Sequence, residues 1–443
     1  MQETIKELIS CKMFVELKKY LGFKEPEDIA NALNGLSHEY VTVAYRLLPK
    51  DIASEVFINL DSEFQEKLIN LFSDNELKEV LNELFDDDTV DIIEEMPSQV
   101  VDRILNSVDK NQRTLINKLL QYPEDSAGSI MTTEFMDFSE DMTVQDALNH
   151  IREVGQDRED IYKGYVISKE KKLLGIVDVK ELVLSDKNRH ISEIMKENTI
   201  FIKTLDDQED VGKLFDKYNE TSLPVVDKDE HIVGIITLDD AIDVIKEEAE
   251  EDFEVMAAVL PNDDTYMKTP VFKHARNRIV WLLILMISSA ISGSIINNYE
   301  SAFAALPILV AFIPMIMDTG GNCGSQAATL IIRGLALDEI QTKDILKILW
   351  KEFRVALGVG GILAICNGVR IYIQYHDLKL SIVVGITLII TAVMAKLLGG
   401  ILPVIAKKLK LDPAIMASPL ITTIVDSLSV LAFFNVAVAI MNI

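Results

Sequence analysis

Leu306–Leu335, LPILVAFIPMIMDTGGNCGSQAATLIIRGL, decides how this chain is read. It begins as an apolar helix fit to cross a membrane. Asp318 then enters, and Thr319-Gly320-Gly321-Asn322-Cys323-Gly324-Ser325-Gln326 follows before apolar residues resume. Three glycines among small and polar residues predict a loosened or broken helix with freed backbone carbonyls. In hydrocarbon such a break is tolerated only against protein or beside a wet cavity, so the stretch is a candidate pore wall. The alternative is a seam of small residues for tight helix packing, a role that needs glycine but not Asp, Asn or Gln.

Further apolar runs surround it. Five spans are expected, at about 279–298, 303–331 (the broken one), 353–375, 381–406 and 414–441, each long enough to cross. Lys273, Arg276 and Arg278 precede the first span, Arg333, Lys343, Lys347, Lys351 and Arg354 lie around the second connection, and Lys407, Lys408 and Lys410 around the fourth. The positive-inside rule then places the long front portion in the cytoplasm and the C-terminus outside. Met1 opens a charged, amphipathic segment and not a signal sequence.

The last span holds one charge, Asp426, near its middle. A mid-span carboxylate costs roughly 2.5–3.5 kcal/mol on insertion scales and is functional by default. One structural alternative is pairing with Lys396 of the fourth span, and Asp318 is open to the same two roles, pore lining or pairing with Lys396. As a cation site, one Asp with carbonyl and amide oxygens suits hydrated Mg²⁺, which is bound through few carboxylates and keeps its waters. No thiolate or imidazole cluster selects zinc or copper. No GxxxxGK[ST] loop points to ATP hydrolysis, so the driving force expected is the membrane potential, about 4.6 kcal/mol for a doubly charged ion at 100 mV. No nucleophile–base set or metalloprotease motif stands in the spans, and no enzyme is expected.

The chain has 443 residues and a net charge of -27, unevenly spread. Before residue 271 there are 61 acidic and 29 basic residues; beyond it there are nine and fourteen. So acidic a front excludes nucleic acid as a partner and favours cations. Cys11, Cys323 and Cys366 are too scattered for a disulfide framework or a zinc knuckle.

Residues 1–125 carry apolar positions at helical spacing, punctuated by Pro26, Asn34-Gly35, Pro49, Ser73-Asp74 and Pro97, and predict an all-α array. Within it, Asp86-Asp87-Asp88 and Asp91 crowd one helix start, where Asp87 and Asp91 repel unless a cation intervenes. An ordinary solvated helix start is the alternative. Residues 126–245 alternate strand-like and helical runs, and the pattern occurs twice. Ser129-Ile-Met131 returns as Glu193-Ile-Met195, Tyr165-Val-Ile as Pro224-Val-Val, and Gly175-Ile-Val-Asp-Val-Lys180 as Gly234-Ile-Ile-Thr-Leu-Asp239. The duplication resembles a tandem pair of CBS domains, small α/β modules, at 126–190 and 191–245. In such pairs a Gly-h-h-Thr-x-x-Asp turn, where h is apolar, often holds the ribose of an adenine nucleotide such as ATP. The second unit keeps it, with Thr237 and Asp240, and the first does not. From Asp239 an acidic helix follows, DDAIDVIKEEAEED, with Asp240, Asp243, Glu247 and Glu251 on one face. The helix is expected to continue past Pro261 and Pro270 through a polar linker toward the basic residues before the first span, so 246–278 connects the α/β pair to a membrane domain at 279–443.

Acidic helical domain, CBS pair, acidic connecting helix and five spans together resemble the MgtE family of magnesium channels. The matching residues are Pro314, Gly320-Gly321-Asn322-x-Gly324-x-Gln326, Arg333-Gly334-Leu335 and Asp412-Pro413-Ala414, with Asp426 fourteen residues beyond Asp412. The resemblance implies a homodimer in the cell membrane with the pore on its axis, where Asp426 and its mate hold hydrated Mg²⁺ beside Gly321, Asn322, Gln326, Thr422 and Asp318. It also implies regulatory Mg²⁺ sites on Asp87 and Asp91, and on Asp240, Asp243, Glu248, Glu251 and Asp252, with Asp412 a further carboxylate at the cytoplasmic end of the last span. Cys323 stands where Thr or Ala is expected. Two rivals remain at this point: transport of Co²⁺ or Mn²⁺, and a membrane-anchored metal or nucleotide sensor that transports nothing.

Overall fold

The computed structural model describes residues 1–262, 266–267, 269–299 and 306–441. It divides into two units, Met1–Ile245 and Lys246–Ile443.

The first unit opens with ten short helices, α1 (Gln2–Ser10) to α10 (Lys110–Leu119). Their ends follow the punctuation of the sequence. Pro26 occupies the first turn of α3 (Pro26–Asn34), where its missing N–H is not needed, and Pro49 and Pro97 stand at N-caps. Ser73 and Glu76 form a reciprocal capping box at α7 (Asp74–Leu81). One apolar core runs from Ile5 through Phe57 and Ile104 into the second CBS unit at Phe215, Val225 and Ile236, so the helical array and that unit are packed as one body.

The first CBS unit contains β1 (Phe135–Ser139), α11 (Val144–Val154), β2 (Asp160–Ile167), β3 (Leu173–Asp178) and α12 (Val179–Leu184). The second contains β4 (Ile202–Lys203), α13 (Gln208–Tyr218), β5 (Ser222–Val226), β6 (Ile232–Thr237) and α14 (Leu238–Met256). In each sheet the first pair is parallel and the second antiparallel. The repeat seen in the sequence is used reciprocally. Thr132, ahead of β1 in the first unit, pairs with Ile235 of β6, and Lys196, ahead of β4 in the second, pairs with Ile176 of β3. Gly175 and Gly234 permit this, because a Cβ on either would come within 2.6 Å of the carbonyl oxygen of Lys196 or Thr132.

In the second unit the long helices are α15 (Val271–Asn298), α16 (Ile313–Ala336), α17 (Ile345–Tyr375), α18 (Leu378–Lys408) and α19 (Ser418–Met441). Among the described residues four stretches are long and apolar enough to cross a membrane: Val271–Asn298, Thr342–Tyr375, Leu378–Lys408 and Pro413–Met441. At 24 residues, α16 is about 36 Å long and also sufficient in length, but more polar. The acidic helix does not continue past Pro261 as expected. It ends at Met256, and Ala258 takes a left-handed conformation that turns the chain.

The predicted break at Gly320–Gln326 does not occur: α16 is helical from Ile313 to Ala336. The glycines are spent on contact. A Cβ on Gly320, Gly321 or Gly324 would meet Ser429, Thr422 or Ile421 at 2.6–2.7 Å, and one on Gly399 would stand 2.3 Å from the Gly324 carbonyl oxygen. Close packing on α18 and α19 outweighs glycine's poor helix propensity, about 1 kcal/mol per residue. Gly399→Ala is expected to push α16 off α18 and cost about 1–3 kcal/mol. A thermal melt of the detergent-solubilised chain checks this, and an unchanged Tm refutes it.

Candidate cation sites

The polar residues of the same stretch occupy the other side of α16. Asp318, Asn322 and Gln326 recur every fourth residue and are exposed, whereas Gly320, Gly321, Cys323, Gly324, Ala327 and Ala328 are buried. An intact helix thus carries a polar stripe that its own chain leaves uncovered. In hydrocarbon such a stripe requires protein or water against it.

Asp426 is half-buried on α19, and its Oδ1 atom is sealed from solvent with no hydrogen-bond partner among the described residues. The charge that acts on it is Asp318. Lys396 is 4 % exposed, yet among the described residues it forms no ion pair with Asp426, and its electrostatic neighbour is Cys323. The structure therefore brings Asp318 to Asp426 and leaves Lys396 apart from both. Thr422 sits against Gly321. Asp412 caps a 3-10 turn through the Ala414 N–H at 2.7 Å, a structural use of that carboxylate. Sequence reasoning passed over Glu352, a buried acid on α17 packed against Gly400. Its signal was present: one carboxylate at the edge of an apolar run.

A second acidic site lies in the first unit. The start of α8 (Asp86–Glu94) enters the CBS pair, and one carboxylate oxygen each from Asp87, Glu159 and Asp240 lie within 4.8 Å of one another. Asp240 is held by Thr237, whose Oγ1 donates to it at 2.5 Å, and Asp86 accepts from Thr133 Oγ1 at 2.6 Å. Asp87 Oδ1 and Glu159 Oε2 are buried without a hydrogen-bond partner among the described residues. Electrostatics report the strain. Burial first, then Glu159, Asp88 and Asp240, raise the Asp87 carboxyl well above its ordinary range. Burial and Asp240 raise Glu159 to about 8, and burial and Asp240 raise Asp88 to about 6. Burial and Asp86 push Glu134 to about 7. The helix N-terminus favours negative charge here by at most about 2 kcal/mol, and burial with mutual repulsion overrides it. Orphaned, all-oxygen donors of this kind fit a hard divalent cation.

Of the expected regulatory residues, Asp87 and Asp240 meet. Asp91 and Asp243 are exposed, although Asp243 still acts on Asp240 through its charge. Glu248, Glu251 and Asp252 lie two to three turns further along α14. Glu159 was missed because it comes from the lead-in to β2, with no local spacing to connect it to either partner.

Three kinds of family profile match: "Divalent cation transporter" (MgtE) over residues 313–436, "MgtE intracellular N domain" over 24–125, and "CBS domain" over 127–187 and 191–247. The "Magnesium transporter MgtE" of Bacillus subtilis is 32% identical over 94% of this chain and 92% of its own. Its namesake in Thermus thermophilus is 34% identical over 95% and 94%. Among solved structures, "the cytosolic domain of the Mg2+ channel MgtE in complex with ATP" is 32% identical with a TM-score of 0.53, covering 55% of this chain and all of that one. With near full-length identity of this order and all three profiles in sequence, the chain belongs to the MgtE family.

Proposed function

We propose that the chain is a Mg²⁺ channel for passive, potential-driven uptake across the cell membrane, closed by intracellular Mg²⁺ at its acidic cytoplasmic sites. The observation that carries the transport reading is that the charge acting on Asp426 is Asp318, from the uncovered stripe of α16, with no basic side chain among the described residues in an ion pair with either. Two such chains, stripe to stripe, would enclose a wet path lined by Asn322, Gln326 and both carboxylates, wide enough in chemistry for an ion that keeps its water. The basic connections favour a cytoplasmic N-terminus and an extracytoplasmic C-terminus.

Closure needs an ion that binds the closed arrangement more tightly than the open one. Bare, Asp87, Glu159 and Asp240 repel; a divalent ion would convert the repulsion into attraction and hold α8 on the CBS pair. Asp240 sits in the first turn of α14, and Met256 at the other end of that helix packs against the membrane cluster of Cys323, Ile421 and Val425, next to Asp426. Uptake of Mg²⁺ into proteoliposomes, with Co²⁺ and Mn²⁺ as competitors, tests both transport and cargo. A chain that binds metal and moves none would leave only the sensor reading.

Adenine nucleotide at the CBS pair remains part of the proposal, supported by a relative solved with ATP. Thr237 and Asp240 are poor hosts, since Thr237 is engaged by Asp240 and Asp240 faces Asp87 and Glu159. A triphosphate there meets like charge. Thr237→Val is therefore expected to leave ATP affinity within about twofold, a shift under 0.5 kcal/mol. Loss of binding in that variant, followed by calorimetry, would move the nucleotide to the second unit.

A further inference from the structure

A hydroxyl in a membrane helix has a ready partner in the carbonyl four residues back. Thr319, Ser381, Thr387 and Thr423 all use it, donating at 2.7, 2.9, 2.8 and 2.6 Å. Thr391 on α18 and Ser429 on α19 do not. Both are sealed, 0 % and 1 % exposed, and neither hydroxyl has a partner among the described residues. The two converge on Gly320 of α16, where a Cβ would stand 2.7 Å from Ser429 Oγ and 2.8 Å from both the Thr391 methyl and Val425. Among the described residues of the membrane helices a third orphaned oxygen is Asp426 Oδ1, one residue beyond Val425 and three before Ser429, hence on the Ser429 side of α19.

Leaving a buried hydroxyl unpaired is costly, and here two do so when an in-helix bond was at hand. Their chemistry completes a set: two hydroxyls that can donate and a carboxylate oxygen that can only accept. A water satisfies all three by accepting from both hydroxyls and donating to the carboxylate, and buried waters ordinarily hold about three such bonds. We propose that Thr391 and Ser429 are positioning residues for Asp426, holding an ordered water beside Gly320 that fixes the orientation of its carboxylate toward the ion path. The inference rests on Asp426 being the pore carboxylate.

The test measures Mg²⁺ uptake by the full chain in proteoliposomes, as KM and maximal rate, for Thr391→Val, Ser429→Ala, the double variant and Thr391→Ser. Valine keeps the shape of threonine, so packing is retained. A misoriented carboxylate weakens ion binding, so KM is expected to rise about tenfold in each single variant with the maximal rate within about twofold. The double variant should add little, since either loss releases the same water. Thr391→Ser, which keeps the hydroxyl, should match the wild type. An unchanged KM in the double variant overturns the proposal, as does a Thr391→Ser variant as impaired as Thr391→Val, which would make the role one of packing. Asp426→Ala run alongside separates the failures: if it transports normally, the pore reading has failed first.

Discussion

Asp426→Ala, expressed in a transport-deficient cell at wild-type membrane level, is expected to lower Mg²⁺ uptake at least tenfold, about 1.4 kcal/mol or more of lost ion stabilisation. Asp426→Asn, which keeps the shape and drops the charge, should do the same. The physical ground is the roughly 2.5–3.5 kcal/mol that a mid-span carboxylate costs, which a structural role must repay through a partner. The obvious partner was Lys396, and the structure removes it: Lys396 lies by Cys323, and the charge acting on Asp426 is another acid, Asp318. Two like charges in reach of each other in hydrocarbon are stabilised only by a cation or by water. Asp318→Asn should therefore weaken uptake less than Asp426→Asn, since it leaves the more buried carboxylate in place. Equal uptake by wild type and Asp426→Ala, measured by isotope or dye at matched expression, would end the pore reading.

Asp87→Asn with Glu159→Gln is expected to leave the channel conducting when internal Mg²⁺ is high, while maximal uptake stays intact. The same change should stabilise the chain without Mg²⁺, because it removes repulsion between buried carboxylates, and should abolish the rise in Tm that Mg²⁺ produces in the wild type. At one hundred times its dissociation constant, a ligand adds about 2.7 kcal/mol. The pH dependence has a definite sign. These carboxyls are raised in the folded state, so the folded chain keeps protons that the unfolded chain has released, and stability without Mg²⁺ falls as pH rises. The window runs from the ordinary carboxyl range, about 4, through Asp88 at about 6 and Glu134 at about 7 to Glu159 at about 8. Mg²⁺ affinity moves the other way, strengthening across that window as protons leave its ligands. Melting curves at several pH values, with and without Mg²⁺, read both effects. A wild type whose Tm ignores Mg²⁺ at pH 8 would show that the acids are not its site.

Much of this architecture is carried by local pattern. Helical spacing and proline punctuation outline the N-terminal array, the repeated Gly-Ile-Val and Gly-Ile-Ile strands announce the paired modules, and apolar length with one mid-span carboxylate marks the membrane part and Asp426. Such features depend on periodicity and composition, which a linear chain displays openly. What the residues could not decide alone were contests between local preference and packing. Gly320, Gly321 and Gly324 favour a broken helix by propensity, yet α16 stays whole because their missing side chains let α18 and α19 close against it. Nor does distance along the chain say which acids meet. Asp87, Glu159 and Asp240 come from three separate elements, and Asp318 finds Asp426 and not Lys396. Those choices belong to tertiary structure, because charge and burial act through space and only the packed helices set the distances.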